Sequence, residues 1–223
     1  MQLQTLLDGI ERGDPAALAR AISLVENRRD GFEQVLSRLH GRAGRARRIG
    51  ITGPPGAGKS TLVDGIVREL RAAQLTVAVV AVDPTSPFTG GALLGDRIRM
   101  ESVSLDPGVF IRSMATRGAL GGLATTTEEV ADVLDAYGFD RILVETVGVG
   151  QTELDVARTA QTTVLVLVPE SGDSIQTLKA GIMEIADVYV INKSDRPGAD
   201  RLRQEIEVTL GLRRGSAFRH IRP

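Results

Sequence analysis

The residues best able to do chemistry in this sequence form a glycine-rich run that ends in lysine, serine and threonine. The run matches the pattern GxxxxGK[ST] and consists of Gly53, Pro54, Pro55, Gly56, Ala57, Gly58, Lys59, Ser60 and Thr61. It lies between an apolar run and a segment of helical periodicity, which is the context of a phosphate-binding loop, or P-loop. Backbone N–H groups at such a helix N-terminus surround an anion. We therefore predict that Lys59 contacts the β- and γ-phosphates of a nucleotide and that Ser60 binds Mg²⁺.

A carboxylate that could complete the Mg²⁺ site follows a second apolar run. Glu145 ends the run Ile142–Val144, and Gly148 comes three residues later. This E-x-x-G pattern is similar to the D-x-x-G pattern of GTPases, in which the glycine N–H contacts the γ-phosphate. The structural alternative for Glu145 is an acid that only caps the strand end. For Asp83, within the run DPTSP, a metal ligand and the start of an Asp-Pro turn are equally good interpretations.

A third motif, NKSD at residues 192–195, follows the apolar run Val188–Ile191. Its residues predicted to contact the nucleotide are Asn192, Lys193 and Asp195. An Asp carboxylate only accepts hydrogen bonds, so Asp195 can pair with N1–H and the 2-amino group of guanine, donors that adenine lacks. After the two preceding motifs, NKSD predicts GTP rather than ATP as the ligand.

Hydrolysis is predicted to be slow because of the residue that follows Gly148. In Ras-like proteins this position carries the glutamine that orients the attacking water. Here it is Val149, and Gln151 comes two residues later. An apolar side chain cannot orient water, so we expect a low intrinsic rate.

The elements that must position these motifs alternate along the chain. Almost wholly apolar runs predict strands at Arg48–Thr52, Thr76–Val82, Val109–Arg112, Arg141–Glu145, Thr163–Val168 and Asp187–Asn192. Such strands are typical of a parallel sheet covered by helices on both faces. Periodic segments predict helices at Lys59–Ala73, Leu93–Ser104, Thr125–Tyr137, Thr152–Arg158, Ser174–Glu184 and Ala199–Leu210. The predicted fold class is therefore α/β, a P-loop NTPase domain built on a parallel sheet.

Residues 1–46 are predicted to form an N-terminal helical extension, and residues 47–223 the P-loop domain. Apolar residues recur at helical spacing across residues 3–39 and predict two or three short helices, one of which starts with Asp14 as N-cap and Pro15. A basic run follows, with Arg38, Arg42, Arg45, Arg47 and Arg48. We interpret this run as a solvated linker rather than a docking patch.

Composition excludes several other kinds of site. The 223 residues include no cysteine, which excludes disulfides, thiolate-bound metals and cysteine nucleophiles. A net charge of −1 and 3% aromatic residues indicate neither general attraction to nucleic acid nor a base-stacking surface. No apolar run approaches the roughly 18 residues of a membrane span, and the N-terminus lacks the pattern of a signal peptide. We expect a cytoplasmic protein without a nucleic-acid or membrane partner.

Longer stretches resemble the MeaB/ArgK/MMAA family of P-loop GTPases. They are GITGPPGAGKSTL at 50–62, VDPTSPFTGGALLGDRIRM at 82–100, RSMATRGALGGLA at 112–124, ETVGVGQTELDV at 145–156 and PESGDSIQTLKAGIMEIADVYVINKSD at 169–195. The resemblance covers essentially the whole chain. It implies a GTPase that guards a cobalamin-dependent acyl-CoA mutase, such as methylmalonyl-CoA mutase, and gates delivery of its cofactor. The ligands it implies are Mg²⁺ with GTP or GDP.

The resemblance also implies roles for single residues. Its catalytic residues are Lys59, Asp83 and Glu145. Its Mg²⁺ ligands are Ser60, Asp83, Asp96 and Glu145. The segment 171–181 is similar to an additional switch of the family, which reports the nucleotide state to the partner, and the implied switch residues are Gln151 and Lys179.

Two alternatives remain at this stage. One is a kinase linked to amino-acid transport, as in the ArgK interpretation of the family, but the sequence offers no acceptor-side base beyond the Mg²⁺ carboxylates. The other is a nucleotide-binding module that does not hydrolyse. The absence of cysteine favours the mutase chaperones over relatives that deliver nickel, zinc or cobalt through thiolate clusters.

The resemblance further implies segments that this sequence does not contain. Family members continue after the helix that follows NKSD with another strand and helix, a last base-contacting loop and a dimerisation segment. We therefore expect a C-terminally truncated chain, with weaker guanine binding and impaired formation of the family's homodimer.

Overall fold

Strands and helices alternate through the part of the chain that the computed structural model describes, which is residues 3–84, 102–116, 122–146, 156, 158–169 and 182–214. The helices are α1 (Leu3–Glu11), α2 (Pro15–Glu26), α3 (Phe32–Leu39), α4 (Lys59–Ala72), α5 (Gly122–Tyr137), α6 (Ile182–Ile185) and α7 (Ala199–Arg214). A 3₁₀ turn covers His40–Arg42. The strands are β1 (Arg47–Thr52), β2 (Val77–Pro84), β3 (Val109–Thr116), β4 (Arg141–Thr146), β5 (Thr162–Leu167) and β6 (Val188–Ile191).

The six strands form one parallel sheet in the order β3-β2-β4-β1-β5-β6. The predicted parallel α/β fold is therefore confirmed. β1 lies between β4 and β5, with Ile51 opposite Glu145 on one side and Thr52 opposite Leu165 on the other. Because the carboxyl ends of parallel strands meet at one edge, the loops after β1, β4 and β6 emerge together.

Apolar side chains alternate between two cores, one on each face of the sheet. On β2, Val77 and Val79 pack into a cluster with Val63 and Val67 of α4. The intervening residues of β2 pack into the opposite cluster, which contains buried residues of α1, α2, α3 and α5. Burial on both faces explains why the strands lack polar alternation.

The N-terminal helices form part of the cover of the sheet. Leu18 and Ile22 of α2 are fully buried and share one cluster with Ile142 of β4. The predicted start of α2 is confirmed, since the Asp14 carboxylate accepts a hydrogen bond from the Ala16 N–H at 2.8 Å and proline occupies the first turn. This packing joins α1–α3 to the sheet through a common apolar core.

A buried carboxylate holds the segment between these helices and β1. Asp135 of α5, whose side chain is 1% exposed, accepts hydrogen bonds from the backbone N–H groups of Gly44, Arg45 and Ala46 at 2.8, 3.0 and 3.0 Å. The Arg48 guanidinium lies 3.2 Å from the same carboxylate and is 13% exposed. The interpretation of the whole basic run as a solvated linker is therefore wrong for Arg48, because this side chain compensates a buried charge.

Several element boundaries differ from prediction by two to four residues: β2 extends to Pro84, α5 begins at Gly122 and α7 continues to Arg214. β3 continues past Arg112 to Thr116, because it pairs with β2 as far as Pro84. Residues 102–105 form a turn where the predicted helix Leu93–Ser104 would end, and the earlier part of that helix lies outside the described residues. So do residues 174–181 of the helix predicted at Ser174–Glu184, and most of the one predicted at Thr152–Arg158.

No helix among the described residues combines the length and apolarity needed to cross a bilayer.

We predict that Asp135→Asn lowers the free energy of unfolding by about 2–3 kcal/mol at pH 7. Burial raises the pKa of Asp135, but the three N–H donors and Arg48 outweigh it, so the pKa lies below its ordinary value of 3.8. The ionised carboxylate therefore stabilises the fold above that value, and this contribution is lost as the pH falls through the lower folded-state pKa. Urea unfolding at pH 7 and in acid measures both effects.

The control is Asp132→Asn, which removes the second carboxylate in contact with Arg48. Asp132 lies 2.6 Å from the guanidinium but is 41% exposed, so we expect a loss below about 1 kcal/mol. Equal losses in the two variants would contradict the assigned role of Asp135.

Candidate nucleotide-binding site

The glycine-rich run forms a tight loop between the end of β1 at Thr52 and the start of α4 at Lys59. Gly53 has a φ of +141°, and a Cβ there would lie 2.1 Å from the carbonyl oxygen of Val166 in β5. Gly58 has a φ of +87°, and a Cβ there would lie 2.4 Å from Asn192 Nδ2. These two positions require glycine because the loop passes directly over neighbouring groups.

The start of α4 can receive an anion. Its N-cap, Gly58, has no side chain with which to satisfy the first N–H groups of the helix. A phosphate bound there would accept hydrogen bonds from such groups, and the positive end of the helix dipole would favour its charge.

Lys59, the first residue of α4, folds back over the loop. Its Nζ donates to the carbonyl oxygens of Gly53 at 2.8 Å and Pro54 at 3.0 Å, and the residue is 6% exposed. A buried ammonium with carbonyl acceptors can exchange one of them for a phosphate oxygen, which forms a stronger, charge-assisted hydrogen bond.

Ser60 and Glu145, two of the residues predicted to bind Mg²⁺, are in direct contact. Ser60 Oγ donates to Glu145 Oε1 at 2.7 Å, and both residues are buried. The contact follows from register, since Glu145 lies beside Ile51 of β1. A hydroxyl and a carboxylate are hard oxygen ligands of the kind that Mg²⁺ prefers, so this pair fits that metal.

The NKSD motif lies against the same loop. Asn192 Nδ2 donates to the carbonyl oxygen of Ala57 at 2.8 Å, and Lys193 Nζ donates to that of Gly56 at 2.8 Å. Lys193 itself has a φ of +54°, which turns the chain sharply after β6. Asp195 lies in the following turn and is exposed, so a base could reach its carboxylate.

Some of the other predicted site residues lie in the described part of the chain and others do not. Pro55 and Thr61 are exposed on the loop and on α4. The backbone of Asp83 lies in β2, opposite Ala115, but its side chain lies outside the described part of the chain. The predicted residues wholly outside it are Asp96, Gly148, Gln151 and Lys179. Within the described ranges, no three His, Asp or Glu side chains are grouped so that they could hold a metal.

Sequence reasoning missed a pair of buried hydroxyls next to these motifs. Thr146 Oγ1 donates to Thr52 Oγ1 at 3.1 Å, at the ends of β4 and β1. The available signal was a threonine at the end of each of the runs Ile49–Thr52 and Ile142–Thr146, which are otherwise apolar except for Glu145.

We predict that Gly53→Ala lowers the free energy of unfolding by about 3 kcal/mol or more, because the new methyl group would overlap the Val166 carbonyl. The matched variant is Gly56→Ala. Gly56 also has positive φ, at +73°, but nothing lies within 4 Å of its Cβ position, so we expect a cost of about 1–2 kcal/mol. Urea unfolding compares them, and equal costs would show that the contact with β5 does not constrain the loop.

Comparison with known proteins places this geometry in a family. The family model described as methylmalonyl Co-A mutase-associated GTPase MeaB matches residues 18–220. A Pyrococcus abyssi protein whose name includes the word GTPase is 57% identical over 210 residues, which are 94% of this chain and 65% of the relative. GTPase ArgK of Escherichia coli is 42% identical over 198 residues, 86% of this chain and 60% of its own length.

A solved structure supports the same family assignment. The crystal structure described as a LAO/AO transport system kinase has a TM-score of 0.70 and 31% identity, and the match covers 99% of this chain and 66% of that one. The chain thus spans about two thirds of the length of these relatives. On the family match, the sequence identity and the shared fold, the chain belongs to the MeaB family of P-loop GTPases.

Proposed function

We propose that this chain binds Mg²⁺·GTP and hydrolyses it slowly, as a nucleotide-dependent switch that guards a cobalamin-dependent acyl-CoA mutase. The observation that carries the proposal is the meeting of three separate motifs at one loop. Ser60 contacts Glu145 at 2.7 Å, and Asn192 contacts the loop at 2.8 Å. A phosphate site, a metal site and a base-specific turn are the parts that a GTPase requires.

The phosphates would lie at the N-terminus of α4. Lys59 would move from the carbonyls of Gly53 and Pro54 to the β- and γ-phosphates, while the loop N–H groups bind phosphate oxygens. Ser60 and Glu145 would hold Mg²⁺, and Asp83 and Asp96 are the further proposed ligands. When bound, Mg²⁺ neutralises charge on the phosphate oxygens.

Guanine would be recognised by Asp195. The hydrogen bonds from Asn192 and Lys193 to the loop fix the NKSD turn relative to the phosphate site. Asp195 would then accept hydrogen bonds from the N1–H and 2-amino groups of the base when the phosphates of the same nucleotide are bound at the loop.

The segments after β4 and β5 would report to a partner whether GTP or GDP is bound. Gly148, Gln151 and Lys179 are the proposed sensor and switch residues. Val149, in the position of the water-orienting glutamine, supports slow intrinsic hydrolysis. The family description supports the mutase as partner. We further propose a cytoplasmic location and a homodimer in longer relatives. We propose no nucleic-acid or membrane partner.

A kinase is the alternative that the solved relative's description favours. A kinase transfers the γ-phosphoryl group to an acceptor and needs a base near that acceptor. Release of inorganic phosphate from GTP without any acceptor separates the two functions, and it also excludes a module that only binds nucleotide.

We predict that Mg²⁺·GDP raises the melting temperature and that Mg²⁺·ADP does not. A ligand at 100 times its Kd adds about 2.7 kcal/mol of stability. Asp195→Asn should abolish the GDP shift, because an amide replaces one acceptor with a donor. Thermal melts of both proteins with each nucleotide test this.

Asp200→Asn is the control for the loss of a charge nearby. Its side chain is 93% exposed at the start of α7, so the GDP shift should persist. Equal shifts with GDP and ADP would contradict guanine recognition and favour the kinase.

We also predict single-turnover GTP hydrolysis slower than about one per second. Glu145→Gln should lower this rate at least about tenfold and raise the Mg²⁺ concentration required, because a neutral amide binds the cation weakly. Glu129→Gln, on α5 in contact with Arg28, should leave both quantities unchanged. A Glu145→Gln variant with wild-type Mg²⁺ dependence would remove Glu145 from the metal site.

A further inference from the structure

Two threonines form a hydroxyl pair between the central strands of the sheet. Thr52 is the last residue of β1, and Thr146 is the last residue of β4. Their Oγ1 atoms lie 3.1 Å apart, and both residues are fully buried. Each threonine comes directly after one residue of the register pair Ile51 and Glu145.

The position of the pair connects two parts of the candidate site. Thr52 directly precedes Gly53, whose carbonyl accepts a hydrogen bond from Lys59. Thr146 directly follows Glu145, whose carboxylate contacts Ser60. Successive side chains of a strand point to opposite faces, so Glu145 faces α4 while the threonine pair lies on the other face of the sheet. Each hydroxyl is therefore one residue away from a group proposed to contact phosphate or metal.

Stability alone does not explain hydroxyls at these positions. The other buried positions of β4 and of its neighbour β2 are mostly Val, Ile, Leu and Ala. Valine would occupy nearly the same volume as threonine, and replacing both partners of a buried hydrogen bond by apolar groups of the same shape is close to neutral. What the pair adds over two valines is a directional contact that sets the separation of the strand ends.

We infer that the Thr52–Thr146 hydrogen bond positions the end of β4 against the start of the P-loop, so that Glu145 meets the metal of the γ-phosphate in a fixed geometry. Both threonines are positioning residues in this assignment. The inference rests on the proposed GTPase function. It assigns the pair to recognition of the triphosphate state, since the proposed base contacts lie at residues 192–195, after β6.

The test is a double-mutant cycle with Thr52→Val, Thr146→Val and the double variant. Affinities for GDP and for a non-hydrolysable β,γ-imido analogue of GTP are measured with Mg²⁺, together with single-turnover hydrolysis and urea unfolding. One net hydrogen bond corresponds to a factor of roughly 2–12 in an equilibrium or a rate. We expect either single variant to weaken the analogue and slow hydrolysis about fivefold, while GDP affinity changes less than about twofold.

Three further results complete the expectation. The double variant should be no worse than either single one, because both remove the same contact. Thr146→Ser, which keeps the hydroxyl, should retain most of the wild-type preference for the triphosphate. Thr163→Val changes a buried threonine near the amino end of β5 and should leave nucleotide affinities unchanged.

Other outcomes overturn the inference. Multiplicative effects in the double variant would show that the two hydroxyls act separately. Parallel losses of GDP affinity, analogue affinity and stability would indicate a structural role only. If the wild-type chain binds neither nucleotide, the proposed function fails and the inference fails with it. If the wild type hydrolyses GTP and Thr146→Val behaves identically, only the inference fails.

Discussion

The candidate site depends on the hydrogen-bonded register that holds β1 between β4 and β5. This register places Glu145 beside Ile51, within reach of Ser60 at the start of α4. On the other side it carries Gly53 over the Val166 carbonyl. A slip of one residue would turn each side chain of the strand to the other face. The metal pair and the loop conformation therefore follow from the same strand pairing.

Covering the sheet is the second requirement, and the N-terminal helices contribute to it. Their buried residues share a core with β2, β4 and α5. Asp135 of α5 holds the segment between these helices and β1 by accepting three backbone N–H groups and pairing with Arg48. A buried carboxylate with this many donors ties the segment before β1 to α5, which fixes where the strand that leads to the P-loop begins.

Much of the site could be predicted from sequence because its motifs are local. The P-loop glycines, Lys59 and Ser60 lie in one short run, and the chemistry of each residue type limits its role. Contacts between distant segments could not be predicted. No local signal indicates that the Asn192 side chain donates to the carbonyl of Ala57, or that Arg48, unlike a solvated arginine, pairs with the buried Asp135.

Short segments of the sequence were enough to predict the fold class, the three motifs and a guanine preference, because apolar periodicity and residue chemistry are local properties. Tertiary structure decided how these parts meet. It brought Glu145 to Ser60 across 85 positions of the chain and paired Thr52 with Thr146. Such contacts depend on strand order and register, which the packing of the whole sheet selects and no short segment specifies.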